Sequence, residues 1–177
     1  MILTIGHSNH PIGRFLELLA QNQVEELSDI RRFPGSRKHP HFNRENLERT
    51  LTEQRIAYRW IEALGGRRRA IPGVESPNLA WRNASFRNYA DYMGTVEFRE
   101  AAQTLIDAAS ERRIAIMCAE GLWWQCHRRL VSDYLSVRGI AVEHILPNGQ
   151  TKTHTLTPGA VVAEQDRITY PASNTLF

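Results

Sequence analysis

The segment from Ile114 to Leu135, IAIMCAEGLWWQCHRRLVSDYL, constrains the fold more than any other stretch. Ile114 to Met117 form an apolar run that suits a strand buried on both faces, and Cys118 and Glu120 end it. After a short loop carrying Trp123 and Trp124, Cys126-His127-Arg128-Arg129 opens an amphipathic helix that buries Leu130, Val131, Tyr134 and Leu135. Gly139 stops that helix in the left-handed conformation only glycine adopts readily. A buried strand handed on to a helix through a polar loop is one unit of an α/β sheet. The helix's free amides and positive dipole end then face the strand's carboxyl end, where such proteins bind ligands.

The same alternation runs along the chain. Ile2 to Ile5 reads as a strand ending at Gly6-His7-Ser8, and Pro11 suits the first turn of a helix striped by Ile12, Phe15, Leu16 and Leu19. Val24 to Ile30 reads as the second strand, ending in Asp29-Ile30-Arg31. The polar loop RRFPGSRKHPHF that follows is longer than a compact domain keeps unless the loop binds something. Asn43 is the expected cap of a helix carrying Leu47 and Leu51. Ile56 to Ile61 reads as the third strand, followed by Leu64-Gly65-Gly66 and Arg67-Arg68-Arg69. Ala70 to Ser85 has no periodicity and reads as loop.

Ser85 is the expected cap of a short helix through Tyr92. A longer helix then presents Phe98, Ala101, Ala102, Leu105, Ile106 and Ala109 on one face. Ala141 to Leu146 completes the set of strands. Asn148-Gly149 suits a hairpin turn, and Ile168 to Tyr170 a small strand. The expectation is therefore an α/β chain of 177 residues, folded as a single-domain, three-layer Rossmann-like structure. Its sheet is expected to be mostly parallel and five-stranded, in the order 3-2-1-4-5, with the switch point between strands one and four. The core would span about 1–146, with a C-terminal extension over 147–177.

A net charge of +3 permits phosphate binding without demanding it. The clustering says more, with Arg31, Arg32, Arg37 and Lys38 together, then Arg67 to Arg69, then Arg128 and Arg129. Two cysteines with no apolar leader point to a reducing, cytoplasmic setting. No run approaches the roughly 20 apolar residues that span a bilayer, so no membrane partner is expected. Oligomeric state is not written in any of these features.

Asp29 and Glu120, at strand ends beside helix starts, are the acid–base candidates for holding a water at a sugar or phosphate. Arg31 and Arg128 would form the anion clamp, since a guanidinium fork matches phosphate. His7, Ser8, Arg32, Ser36, Arg67 and Cys126 are expected to complete the substrate wall. His127 is a candidate general acid, and Phe42, Tyr58 or Trp123 would stack on a base. Cys118 is a candidate nucleophile at a strand end, although a phosphatase-like loop needs an arginine six positions on, where Trp124 stands. Cys118, Cys126 and His127 also suggest ligands, but the spacing Cys-x7-Cys-His matches no standard zinc pattern, so neither metal nor cofactor is expected.

Six ordered blocks then carry a resemblance. They are Thr4-Ile5-Gly6-His7-Ser8, Asp29-Ile30-Arg31-Arg32-Phe33-Pro34-Gly35-Ser36, Leu64-Gly65-Gly66-Arg67, Tyr89-Ala90-Asp91-Tyr92-Met93, Met117-Cys118-Ala119-Glu120 and Cys126-His127-Arg128-Arg129. Together they resemble the bacterial family catalogued as domain of unknown function 488, over nearly the whole chain to about Leu146. The resemblance implies a site on these loop-borne polar positions, and the family's occasional label as DNA repair proteins implies contact with nucleic acid.

Three functions follow as expectations. The first is an enzyme acting on a nucleotide or nucleic acid by hydrolysis or N-glycosidic cleavage, as a DNA glycosylase does. The second is a non-catalytic nucleic-acid-binding module whose affinity falls steeply with salt. The third is a thiol or metal-dependent sensor built on Cys118, Cys126 and His127.

Overall fold

The strand–helix alternation produces a mostly parallel, Rossmann-like sheet with helices on both faces. The computed structural model describes residues 1–163 and 167–172. In chain order the elements are β1 (Ile2–Gly6), α1 (Ile12–Gln21), β2 (Glu26–Asp29), α2 (Arg44–Glu53), β3 (Ala57–Trp60), α3 (Ala84–Tyr92) and α4 (Val96–Glu111). They continue with β4 (Ile114–Cys118), α5 (Arg128–Ser136), β5 (Val142–Ile145), β6 (Thr151–Thr153), β7 (Val161–Ala163) and β8 (Arg167–Thr169). The last two pair as a separate antiparallel ribbon, which lies within the expected C-terminal extension.

The sheet order is β3-β2-β4-β1-β5-β6, so the expected sequence 3-2-1-4-5 is corrected in two respects. Strand β4 lies between β2 and β1, and β6 adds a sixth, antiparallel strand through the Asn148-Gly149 turn, with Gly149 at φ +90°. The interior place falls to β4 because Ile114, Ala115, Ile116 and Met117 are all 0% exposed and need a strand on each side as well as a helix layer on each face. Alternation along β4 divides the core accordingly. Ile114 and Ile116 join the cluster around Tyr89, Phe98, Leu105 and Val131, while Ala115 and Met117 join Phe15, Leu19, Leu27, Phe42 and Leu51 on the other face.

Two helix starts differ from expectation. The Asn43 side chain makes no cap bond and instead accepts the Ser36 amide at 2.5 Å, which folds the long basic loop back on itself. Asn83, rather than Ser85, caps α3, accepting the Ser85 amide at 2.8 Å. No helix among the described residues is long and apolar enough to cross a membrane.

The placement of β4 creates the site. It aligns Cys118 with Gly6 and Met117 with Asp29, so three neighbouring strands end together. The His7 amide then bonds the Cys118 carbonyl at 2.9 Å, and the Ser8 amide bonds that of Ala119 at 2.8 Å.

Candidate active site at the carboxyl edge of the sheet

A cleft of about 580 Å³ opens over these strand ends. Its floor is His7, Ser8, Cys118 and Glu120, and its walls come from the 31–39 loop, from Gly66-Arg67, and from His127 before α5. A side cavity of about 140 Å³ adjoins it, sharing Gly66, Arg67, Cys118, Glu120 and His127 and reaching Cys126. The distant blocks of sequence converge because β1, β2 and β4 are neighbours and the loops after β3 and β4 fold across them.

Close backbone approach requires glycine here. A Cβ on Gly6 would lie 1.9 Å from the Glu120 carbonyl oxygen, so only glycine lets the loop after β4 cross the end of β1. Arg128 clamps that crossing from beneath. It is 1% exposed and donates through Nη2 to the carbonyls of Glu120 and Gly121. Its guanidinium therefore fixes the loop and does not line the cleft.

Asp29 and Arg31 are similarly occupied with each other. Arg31 gives Nε at 2.9 Å and Nη2 at 2.5 Å to the Asp29 carboxylate, which also accepts the Tyr58 hydroxyl at 2.8 Å. Burial, reinforced by Asp29, pushes the Tyr58 hydroxyl far above its ordinary value, so Tyr58 remains a neutral donor. Nη1 of Arg31 bonds the Phe42 carbonyl at 2.9 Å and lies 3.4 Å from His7 Nε2. The carbonyl of Ser8 accepts His7 Nδ1–H at 2.9 Å, which leaves Nε2 as the ring's acceptor. Burial and then Arg31 lower His7 to about 4, so it is neutral near neutral pH. This group forms a rigid floor with its hydrogen-bonding capacity spent internally.

The aromatic rings expected to stack on a base lie elsewhere. Phe42 is 0% exposed, stacked on His7 at 4.3 Å, and Trp123 stacks on His144 at 4.0 Å. The exposed aromatic in the cleft is Phe33, which the sequence reading passed over. Its signal was available, as an aromatic flanked by Arg32 and Pro34 in a loop with no periodicity to require it. Lys38 and His39 join the same wall.

The groups left free face the cleft. Glu120 is exposed, and its carboxylate has no hydrogen-bond or ion-pair partner among the described residues. Arg67 and Lys38 are exposed as well, and Arg32 is shared with Glu62 at 3.0 Å. Two backbone outliers accompany them, since Ser8 at φ +48° and Arg67 at φ +56° hold left-handed conformations. The other two such residues, Gln23 and Arg55, merely terminate α1 and α2. Ser8 and Arg67 close no helix, and strain of roughly 1–3 kcal/mol is characteristic of functional loops.

The two cysteines and His127 form the deepest part of the site. His127 Nδ1 lies 3.5 Å from Cys126 Sγ and 3.8 Å from Cys118 Sγ, and its Nε2 is 3.0 Å from the Ile30 carbonyl. A carbonyl only accepts, so Nε2 carries the proton and Nδ1 turns its lone pair toward the sulfurs. Hydrogen bonding to Cys126 and burial push the Cys118 thiol well up. Burial works the same way on Cys126, but the hydrogen bond from the Cys118 thiol and the charge of Arg128 act against it, and Cys126 lies well below its ordinary value. Three ligand-type atoms thus lie within 4.8 Å of one another, from the residues named as candidate ligands although their spacing matches no standard zinc pattern.

No curated protein and no solved structure matches this chain. The model of one family, described as Domain of unknown function DUF488, matches residues 11–135, a span that includes β2, β4, the basic loop and the Cys118–Arg129 segment. The chain belongs to the DUF488 family.

Proposed function

We propose that the protein is an enzyme that cleaves a nucleotide or nucleic acid, by hydrolysis or at the N-glycosidic bond, in a cytoplasmic setting consistent with its two free cysteines. The carrying observation is the division of the cleft. Arg67, Lys38 and Arg32 supply positive charge on its walls, while the unpartnered Glu120 carboxylate stands at its floor between the two cavities. Cations facing a concave site suit a phosphate-bearing substrate, and a free carboxylate beside it suits the activation of water.

Residue roles follow from availability. Arg67 and Lys38 hold phosphate, Phe33 stacks on a base, and Glu120 positions the attacking water. Arg31, Asp29, Tyr58 and Arg128 act by keeping the floor rigid.

Incubating the protein with a panel of nucleotides and base-modified oligonucleotides, and reading products by mass spectrometry, tests the proposal. A product is expected from the wild type, with its rate reduced about 10²–10⁴-fold by Glu120→Gln. Full activity of Glu120→Gln on an identified substrate overturns the role of Glu120. The absence of product across the panel overturns the enzyme reading.

A further inference from the structure

We propose that Cys118, Cys126 and His127 form a binding site for a zinc ion, with three protein ligands and a fourth position open to the cleft. Tetrahedral zinc, bonded to sulfur at about 2.3 Å and to nitrogen at about 2.0–2.1 Å, places those two ligand atoms about 3.6 Å apart. The two sulfur–nitrogen edges here are 3.5 and 3.8 Å. All three ligand atoms fall within 4.8 Å of one another, a spacing that small side-chain shifts bring onto one ion.

The surroundings match what a metal-bound histidine needs. Nε2–H of His127 is held by the Ile30 carbonyl at 3.0 Å, which fixes the ring and its tautomer as outer-shell carbonyls do for zinc histidines. Space has been kept beside Nδ1. Gly66 packs on the face of the ring, where a Cβ would stand 3.0 Å from Nδ1 and 3.3 Å from Cε1 and Cγ, so the in-plane direction of the Nδ1 lone pair stays clear of it. An ion uses all three donors at once.

The open position has a direction. All three residues line the side cavity, and Cys118 and His127 also line the main cleft, so the ion's fourth ligand comes from the junction of the two. Three-ligand zinc sites of this kind hold a water there and lower its pKa toward about 7. Used in the proposed hydrolysis, that water's oxygen would bond to the electrophilic atom as the bond from that atom to the leaving group breaks with its electron pair on the leaving group; one proton stays on the new hydroxyl and the other goes to the leaving group. This use rests on the reading of the cleft as a nucleotide-cleaving site, whereas the metal site itself does not.

The test strips the purified protein with chelator and reloads it with Zn²⁺ or Co²⁺ in the absence of any nucleotide. One zinc per chain is expected by elemental analysis, and the cobalt form is expected to show thiolate-to-metal charge transfer with a tetrahedral d–d spectrum. Cys126→Ser and His127→Gln, checked for folding by circular dichroism, are each expected to weaken binding by about 100-fold or more. Substoichiometric loading of the wild type, a cobalt spectrum without thiolate bands, or full binding by Cys118→Ser/Cys126→Ser overturns the site. So does titration showing no free thiols in protein kept under argon. Stoichiometric zinc without cleavage of any nucleotide supports the site and overturns only the proposed reaction. Cleavage by metal-free protein overturns the ion's part in that reaction.

Discussion

Two histidine clusters attached to the same helix, α5, differ in how completely their hydrogen bonds are satisfied. In the first, Asp133 accepts His154 Nε2–H at 2.8 Å, His154 Nδ1 lies 3.0 Å from His144 Nε2, and His144 Nδ1 lies 2.8 Å from the Thr4 hydroxyl. Asp133 also accepts the Thr157 amide at 2.9 Å and the Tyr170 hydroxyl at 2.7 Å, which ties the C-terminal segment to the core. Every ring nitrogen has one partner, and both rings are buried. In the second, His127 faces two cysteines with a lone pair and opens onto the cleft. A histidine cluster whose partners are sulfurs at the edge of a cleft can take up a ligand. Where donors are all paired and buried, it holds elements together.

The largest expected effect breaks the satisfied cluster. Asp133→Ala leaves three buried donors without their acceptor and is expected to lower stability by about 3–5 kcal/mol in urea unfolding. Glu120→Gln, at the exposed cleft, is expected to change it by less than about 0.5 kcal/mol. Comparable losses from both variants would erase the distinction.

Acid sharpens the comparison next. Burial, then His154 and Arg128, push His144 down to about 3, and burial with Arg31 pushes His7 down to about 4. Both are therefore neutral in the folded protein, while the unfolded chain binds protons at each near pH 6.5. Stability is full above about pH 6.5. It falls as pH drops, by about 1.4 kcal/mol per pH unit for each histidine, until the folded values are reached. Denaturant midpoints between pH 7 and 4 check this, and a flat profile would contradict it. His144→Gln is expected to remove about half of the slope.

The smallest effect has the opposite sign. Arg67 holds φ +56° with an exposed side chain in the cleft, a conformation glycine adopts without strain. Arg67→Gly is expected to raise stability by about 0.5–1 kcal/mol while weakening nucleotide binding. A variant that gains stability and loses no affinity would remove Arg67 from the phosphate wall.

Local pattern made the strands, helices and loops legible. The run Ile114–Met117 announced a strand buried on both faces, the stripe of Phe15 and Leu19 a one-sided helix, and Gly139, at φ +74°, a left-handed stop. Cys118, Glu120, His7 and Arg67, singled out by the same pattern, all line one cleft. Individual roles were less legible. Arg31 and Arg128 carry the same guanidinium as Arg67, and only their partners, Asp29 and the Glu120 carbonyl, separate a buried brace from an exposed cation. Phe42 and Phe33 likewise differ by burial, which the loop's composition does not encode.

The sequence by itself determined the α/β alternation, because side-chain periodicity and turn residues act over a few positions. Tertiary structure decided that β4 enters between β1 and β2, because the competition among apolar strands for the interior is settled over the whole sheet. That choice carried Cys118 beside Gly6 and brought the Ile30 carbonyl within reach of His127. Cys118, Cys126 and His127 became neighbours because a strand end and a helix start were folded onto one edge, a distance that no spacing in the chain records.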